Sequence, residues 1–185
     1  MFIQTEPTPN PNTMKFLPGQ SVTGDRTAFF TSKENAVESP LALALFELPD
    51  IRAIFYGADF ITVTKTESSQ WEVLKPQILT TVMEHYQSGN PLLIEVKATA
   101  KNEKSYSEDE QAIIEQIKEL IETRVRPAVA QDGGDIIFHS FDEGVVYLEM
   151  HGSCSGCPSS TATLKNGIET MLKHYIPEVL AVEPA

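Results

Sequence analysis

A polar stretch without periodicity, residues 97–105, most constrains how this chain can fold, because it divides the sequence into two segments that each carry strands and helices. It reads Lys-Ala-Thr-Ala-Lys-Asn-Glu-Lys-Ser, with neither strand alternation nor helical spacing of apolar residues. We predict a flexible linker over 97–105, a first domain over 1–96 and a second over 106–185. The 185 residues are enough for two small domains.

The first segment alternates turn signals with short apolar runs. Turn-rich residues 7–12 precede a short apolar run at 14–17, which predicts an opening β-hairpin, and residues 51–56 and 60–65 predict a second one. Ser39-Pro40 is a typical helix start, with serine as the cap and proline in the first turn. A second helix is expected from Trp71 to the breaker at Ser88-Gly89.

The second segment opens with a capping box, Ser107 to Glu110, and an apolar stripe that predicts a long helix ending at Arg126-Pro127. Two runs, 135–141 and 145–150, predict an antiparallel hairpin. A helix ending near Tyr175 and a last strand over 178–183 complete the segment. The predicted fold class is therefore α+β, with two small domains that are each a small, mainly antiparallel sheet packed with helices.

Charge and hydropathy exclude several classes of partner. The chain has 14 basic and 26 acidic residues, and its formal charge of −12 repels nucleic acid and the anionic surface of a membrane. No apolar run approaches the roughly 18 residues that span a bilayer. We expect neither nucleic acid nor membrane as a partner. The first residues have no features of a leader, so the prediction is a cytoplasmic, bacterial location, or an organelle matrix if a presequence has been removed.

The two cysteines, Cys154 and Cys157, form a C-x-x-C motif between the predicted hairpin and the last helix. A disulfide between them would connect no distant parts of the fold, so their spacing is typical of thiols kept for chemistry or metal in a reducing compartment. Pro158 suits the first turn of the helix, which predicts that both thiols lie near a helix N-terminus, exposed to solvent and favoured as thiolates.

Counting ligands favours a shared metal centre. A four-iron cluster or a four-cysteine zinc site usually needs four thiolates, and a symmetric dimer supplies the two that one chain lacks. The residues alone leave two alternatives open, a dithiol oxidoreductase and a zinc-binding structural dimer that use the same motif. His151 is interpreted as a partly exposed surface group, and Asp132-Gly133-Gly134-Asp135 as a turn between helix and strand.

Several segments together resemble the NifU-like (Nfu) family. In the second segment they are Arg126-Pro127, Asp132-Gly133-Gly134-Asp135, Gly152-x-Cys154-x-x-Cys157-Pro158 and Gly167-Ile168-Glu169. In the first segment, residues 6–16 and 57–64 resemble the additional N-terminal domain that some family members carry. The resemblance covers nearly the whole chain.

The resemblance implies a function. It implies a protein that is not an enzyme and that carries a [4Fe-4S] cluster bridging two subunits, with Cys154 and Cys157 as the ligands of the cluster iron. It also implies a homodimer in the cluster-bound state, apo iron–sulfur enzymes as recipients and an upstream assembly scaffold as donor. The first domain is expected to be an interaction or regulatory module.

Overall fold

The computed structural model describes residues 2–24, 26–94, 106–156 and 158–185. The chain separates into two compact units, residues 1–98 and 99–185. The predicted linker, 97–105, lies outside the described residues. Each unit is described by itself below.

The first unit is built on a five-stranded antiparallel sheet with the order β1-β2-β5-β4-β3. Its strands are β1 Gln4–Pro7, β2 Thr13–Leu17, β3 Ala28–Phe30, β4 Ile51–Tyr56 and β5 Ile61–Lys65. Its helices are α1 Pro40–Phe46 and α2 Trp71–Ser88, and a short 3₁₀ turn covers Glu34–Ala36. Both predicted hairpins and both predicted helices are confirmed.

Local signals in the sequence account for α1 and for the core beneath it. The Ser39 hydroxyl accepts a hydrogen bond from the Ala42 N–H at 3.1 Å, and Pro40 occupies the first turn. Apolar residues of α1, α2 and one sheet face then form a single buried core. Its fully buried large side chains include Phe16, Phe30, Leu41, Leu45, Ile54, Tyr56, Ile61 and Ile78.

The second unit has a three-stranded sheet with the order β6-β7-β8. Its elements are α3 Glu108–Leu120, a π-helical turn Ile121–Val125, α4 Arg126–Gln131, β6 Gly134–Asp142, β7 Val145–Gly152, α5 Pro158–Tyr175 and β8 Ala181–Pro184. Strands β6 and β7 form the predicted antiparallel hairpin, whereas β8 pairs parallel to β7. The α+β class, with mainly antiparallel sheets, is confirmed.

The helical run that opens this unit, α3 followed by the π-helical turn and α4, extends further than the sequence predicts. Its capping box is present, with the Ser107 N–H donating to the Glu110 carboxylate at 2.9 Å. The predicted end at Arg126-Pro127 is wrong, because the chain widens into a π-helical turn in which the Arg126 N–H donates to the Ile121 carbonyl. Pro127 then lies in the first turn of α4, where a missing N–H costs no hydrogen bond.

None of the helices in the described ranges is both long enough and apolar enough to cross a bilayer.

Candidate metal centre

The cysteine motif begins in a tight loop between β7 and α5. Gly152 ends β7 with φ 63°, and Gly156 has φ 78°, conformations that favour glycine over other residues. The Ser155 N–H donates to the Gly152 carbonyl at 3.1 Å and closes the turn. Helix α5 starts at Pro158, as the sequence predicts. Cys154 is placed in this loop, and Cys157 lies outside the described residues.

The Cys154 side chain points into its own unit. Only 6% of the residue is exposed, and it belongs to the hydrophobic core that includes Ile136, Ile168 and Leu172. Gly134, the first residue of β6, lies directly opposite Gly152 in the hairpin. A Cβ atom added to Gly134 would lie 2.4 Å from the Cys154 Sγ, so the sulfur occupies space that only a glycine leaves free.

Three hydrogen bonds fix the loop around Cys154. The Ser153 N–H donates to the Gly133 carbonyl at 3.1 Å, and the Ser153 hydroxyl donates to the Asp132 carbonyl at 2.6 Å. The Thr161 hydroxyl of α5 donates to the Cys154 carbonyl at 3.3 Å. The loop is therefore attached both to the turn before β6 and to α5.

An ion pair lies next to this site. Arg126 donates through Nε to Asp135 Oδ1 and through Nη2 to Asp135 Oδ2, both at 2.8 Å. Its Nη1 donates to Glu122 Oε2 at 2.6 Å. The hydrogen bonds to Asp135 raise the pKa of Arg126 above its ordinary value, despite partial burial that lowers it. The forked geometry joins α4 to β6 immediately beside Gly134.

Cys154 differs from the sequence prediction in charge and exposure. The pKa of its thiol is raised to about 11, mainly by burial and in smaller part by the negative charges of Asp132 and Asp135, against a hydrogen bond to Ser153 that lowers it. The prediction of an exposed residue favoured as a thiolate is therefore wrong for Cys154. Loss of water from the inward-facing sulfur outweighs its position near a helix start.

The other candidate residues take the structural roles predicted for them. Asp132 and Gly133 form the turn that joins α4 to β6, and Gly133 has φ 78°. His151 lies near the end of β7, with 15% of its side chain exposed and its Nε2 3.2 Å from Glu149 Oε2. Over the described part of the chain, no three His, Cys, Asp or Glu side chains come close enough together to hold a metal ion.

Sequence reasoning missed the contacts of two residues in the second unit. Gly134 and Arg126 stand in segments that the sequence singles out, but neither spacing nor charge shows that one adjoins the sulfur and the other bonds to Asp135. These contacts depend on how β6, β7 and α4 meet, which are relations between distant segments.

Comparison with known proteins identifies the family. The model described as "Scaffold protein Nfu/NifU N terminal" matches residues 3–89, and the one described as "NifU-like domain" matches residues 117–183. The chain belongs to the Nfu family of NifU-like proteins.

Relatives match over nearly the full chain. The NFU1 iron-sulfur cluster scaffold homolog, mitochondrial, of Homo sapiens is 50% identical over 99% of this chain and 71% of the human protein. NifU-like protein 5, mitochondrial, of Arabidopsis thaliana is 49% identical over 99% of this chain and 67% of its own length. Other relatives are longer still, and the chain spans 61 to 65% of their length. These names refer to mitochondria, so they give no support to a bacterial cytoplasm.

Among solved structures, the solution structure of a NifU-like protein from Saccharomyces cerevisiae matches with a TM-score of 0.48 and 24% identity. The match covers 52% of this chain and 87% of the yeast chain.

Proposed function

We propose that this protein is an iron–sulfur cluster carrier, in which Cys154 and Cys157 of two subunits together hold a [4Fe-4S] cluster and pass it to apo-proteins. The observation that carries the proposal is the C-x-x-C motif in the β7–α5 loop, inside the stretch that matches the NifU-like domain. Relatives that are 50% identical to this chain are named iron-sulfur cluster scaffold homologs, which supports the same role.

The donor atoms suit this cargo. Thiolates are the usual ligands of iron–sulfur clusters, and a four-iron cluster takes four of them. The chain has two cysteines, so two subunits are needed.

The proposal assigns no turnover chemistry to the chain. Its recipients are apo iron–sulfur enzymes, its donor is an upstream assembly scaffold, and the first unit acts as an interaction or regulatory module. Cysteines kept as thiols support a reducing compartment, and the mitochondrial relatives are consistent with an organelle matrix.

Anaerobic reconstitution tests the proposal. The sample is analysed for iron, acid-labile sulfide and zinc, and its absorption spectrum and size are measured. We expect about four irons and four sulfides per dimer, with a broad band at about 400 nm from thiolate-bound iron. A colourless protein after reconstitution would refute the carrier: bound zinc would favour the zinc-binding dimer, and absence of metal would favour the dithiol oxidoreductase.

Single substitutions locate the ligands. Cys154→Ser and Cys157→Ser are each expected to abolish stable iron binding, whereas His151→Gln, three residues before the motif, is expected to retain it. If Cys157→Ser instead traps a mixed disulfide with a partner protein, the motif works as a dithiol oxidoreductase. Retention of the cluster by either cysteine variant would contradict the ligand assignment.

A further inference from the structure

Position 134 holds a glycine because a side chain would clash with its neighbours there, and not because the backbone conformation requires one. Gly133 has φ 78°, a value that other residues rarely adopt, but Gly134 lies in β6 and is not among the residues with positive φ. An alanine could take the Gly134 backbone conformation. Its Cβ, however, would clash with the Cys154 Sγ at a distance of 2.4 Å.

The surroundings of that space are rigid. The same added Cβ would lie 3.0 Å from the His151 carbonyl oxygen and 3.1 Å from the Ser153 Oγ. The Ser153 hydroxyl is hydrogen-bonded to the Asp132 carbonyl, and β6 and β7 are paired at this point. The flexible neighbour is the Cys154 side chain, which can rotate about one bond.

We propose that Gly134 is a positioning residue for Cys154: the space above its Cα shelters the sulfur inside its own subunit while no cargo is bound, and the sulfur leaves that space to bind the cluster. This inference rests on the proposed function in one respect, because it takes Cys154 as a cluster ligand.

Burial explains why the sulfur has to move. A cluster shared by two subunits must meet its ligands at a surface, whereas Cys154 is 6% exposed and packs against the core of its own unit. On binding, the thiol gives its proton to solvent and the sulfur replaces another ligand on the cluster iron. No electron transfer is involved. In this inward position the thiol is shielded from alkylating and oxidising agents.

The experiment measures alkylation of Cys154 by iodoacetamide in the metal-free full chain, with Cys157→Ser present so that a single thiol is followed by mass spectrometry. Adding Gly134→Ala is expected to speed alkylation by about tenfold or more, because the new methyl group displaces the sulfur towards solvent. The matched control is Gly167→Ala in α5, where an added Cβ meets nothing within 4 Å, and its rate should stay unchanged.

Faster alkylation through unfolding is separated from local exposure by repeating the measurement in low concentrations of urea. Local exposure gives a rate that depends weakly on urea, whereas global unfolding gives a rate that rises steeply. An unchanged rate in folded Gly134→Ala, or a rise that follows global unfolding, would overturn the proposal.

A second comparison applies if Gly134→Ala does not fold. If the sulfur is what excludes a side chain, Cys154→Ala combined with Gly134→Ala restores folding, and the two changes are strongly non-additive in stability. If the double variant also fails to fold, the side chain at position 134 clashes with the His151 carbonyl oxygen and not with the sulfur. That result would overturn the proposal. All these measurements are made without iron, so they stand whether or not the wild-type protein binds a cluster.

Discussion

Among single residues, Arg126 gives the candidate site its clearest support. Its guanidinium forms a forked pair with Asp135, whose side chain is only 5% exposed, and it also bonds to the exposed Glu122. A buried carboxylate that loses such a partner keeps its charge without compensation. The pair therefore holds α4 against β6 beside Gly134 and Cys154.

We expect Arg126→Gln to lower the free energy of unfolding of the second unit by about 2–4 kcal/mol, because it leaves the Asp135 carboxylate poorly compensated. Lys173→Gln is the matched control, since it removes an exposed helical pair with Glu169 and should cost at most about 0.5 kcal/mol. Urea unfolding followed by circular dichroism measures both. Equal, small losses would show that the forked pair does not support this unit.

Two buried tyrosine hydroxyls of the first unit differ in their partners. The Tyr56 hydroxyl shares a 2.8 Å hydrogen bond with Ser39. The Tyr86 hydroxyl is buried without a hydrogen-bond partner among the described residues. Burial raises the pKa of Tyr86 to about 12. At neutral pH, Tyr56→Phe should therefore cost about 1 kcal/mol, whereas Tyr86→Phe should be neutral or stabilising.

The raised pKa of Tyr86 also predicts a pH dependence. An unfolded tyrosine ionises at about pH 10 and folded Tyr86 at about pH 12, so the folded state binds more protons between these values. The stability that depends on the protonated phenol is complete below pH 10 and is lost as pH rises towards 12. Tyr86→Phe should thus gain stability relative to wild type between about pH 10 and pH 12 in urea titrations. Parallel curves for the two proteins would contradict this.

At the scale of elements, the β6–β7 hairpin depends on its turn. Glu143 and Gly144 both have positive φ, 46° and 82°, as a two-residue hairpin turn of this hand requires. The turn also binds the segment just before β8, since the Leu180 N–H donates to the Gly144 carbonyl at 2.7 Å. A Cβ on Gly144 would lie 2.7 Å from Leu180 Cγ.

Gly144→Ala is therefore expected to cost about 2–4 kcal/mol, the sum of a left-handed backbone at alanine and overpacking against Leu180. In a Leu180→Ala background the overpacking against Leu180 disappears, so the cost should fall by about 1–2 kcal/mol. The left-handed backbone and a 3.0 Å approach of the added Cβ to the Glu178 carbonyl oxygen remain. Because Leu180 is exposed, Leu180→Ala by itself should cost little stability. Chemical unfolding of the four proteins in this cycle gives the coupling, and strict additivity would exclude the contact with Leu180.

At the scale of the whole molecule, unfolding of the two units can be followed with different spectroscopic probes. Trp71 is the one tryptophan of the sequence. It begins α2 in the first unit and donates from Nε1 to the Pro11 carbonyl at 3.0 Å. Its fluorescence reports on the first unit, while far-ultraviolet circular dichroism reports on both.

Cargo that binds the folded second unit should stabilise that unit alone, because ligand binding raises the stability of the part that it requires to be folded. We expect reconstitution to raise the melting temperature of the second unit, followed by circular dichroism. The melting temperature of the first unit, followed by Trp71 fluorescence, should stay unchanged. Removing iron with a chelator should reverse the change. A shift of both midpoints would show instead that the two units unfold together.

Most elements of this fold were predictable because their signals are local. The caps at Ser39 and Ser107, the turn at residues 142–144 and helical spacing after Trp71 lie within a few residues of the structure that they specify. The error at Arg126-Pro127 has a physical reason, since a π-helical turn accommodates the proline and leaves no mark in the spacing of apolar residues. The parallel pairing of β8 was likewise beyond local reasoning.

The sequence by itself determined the α+β class, the family and the choice of Cys154 and Cys157 as candidate ligands, because motif spacing and charge are properties of the chain. Only the tertiary structure decided that Cys154 faces inward with a raised pKa, that Gly134 leaves room for its sulfur, and that Arg126 binds Asp135. The reason is that desolvation and steric exclusion depend on atoms that distant segments bring together, and no local pattern in the sequence records those distances.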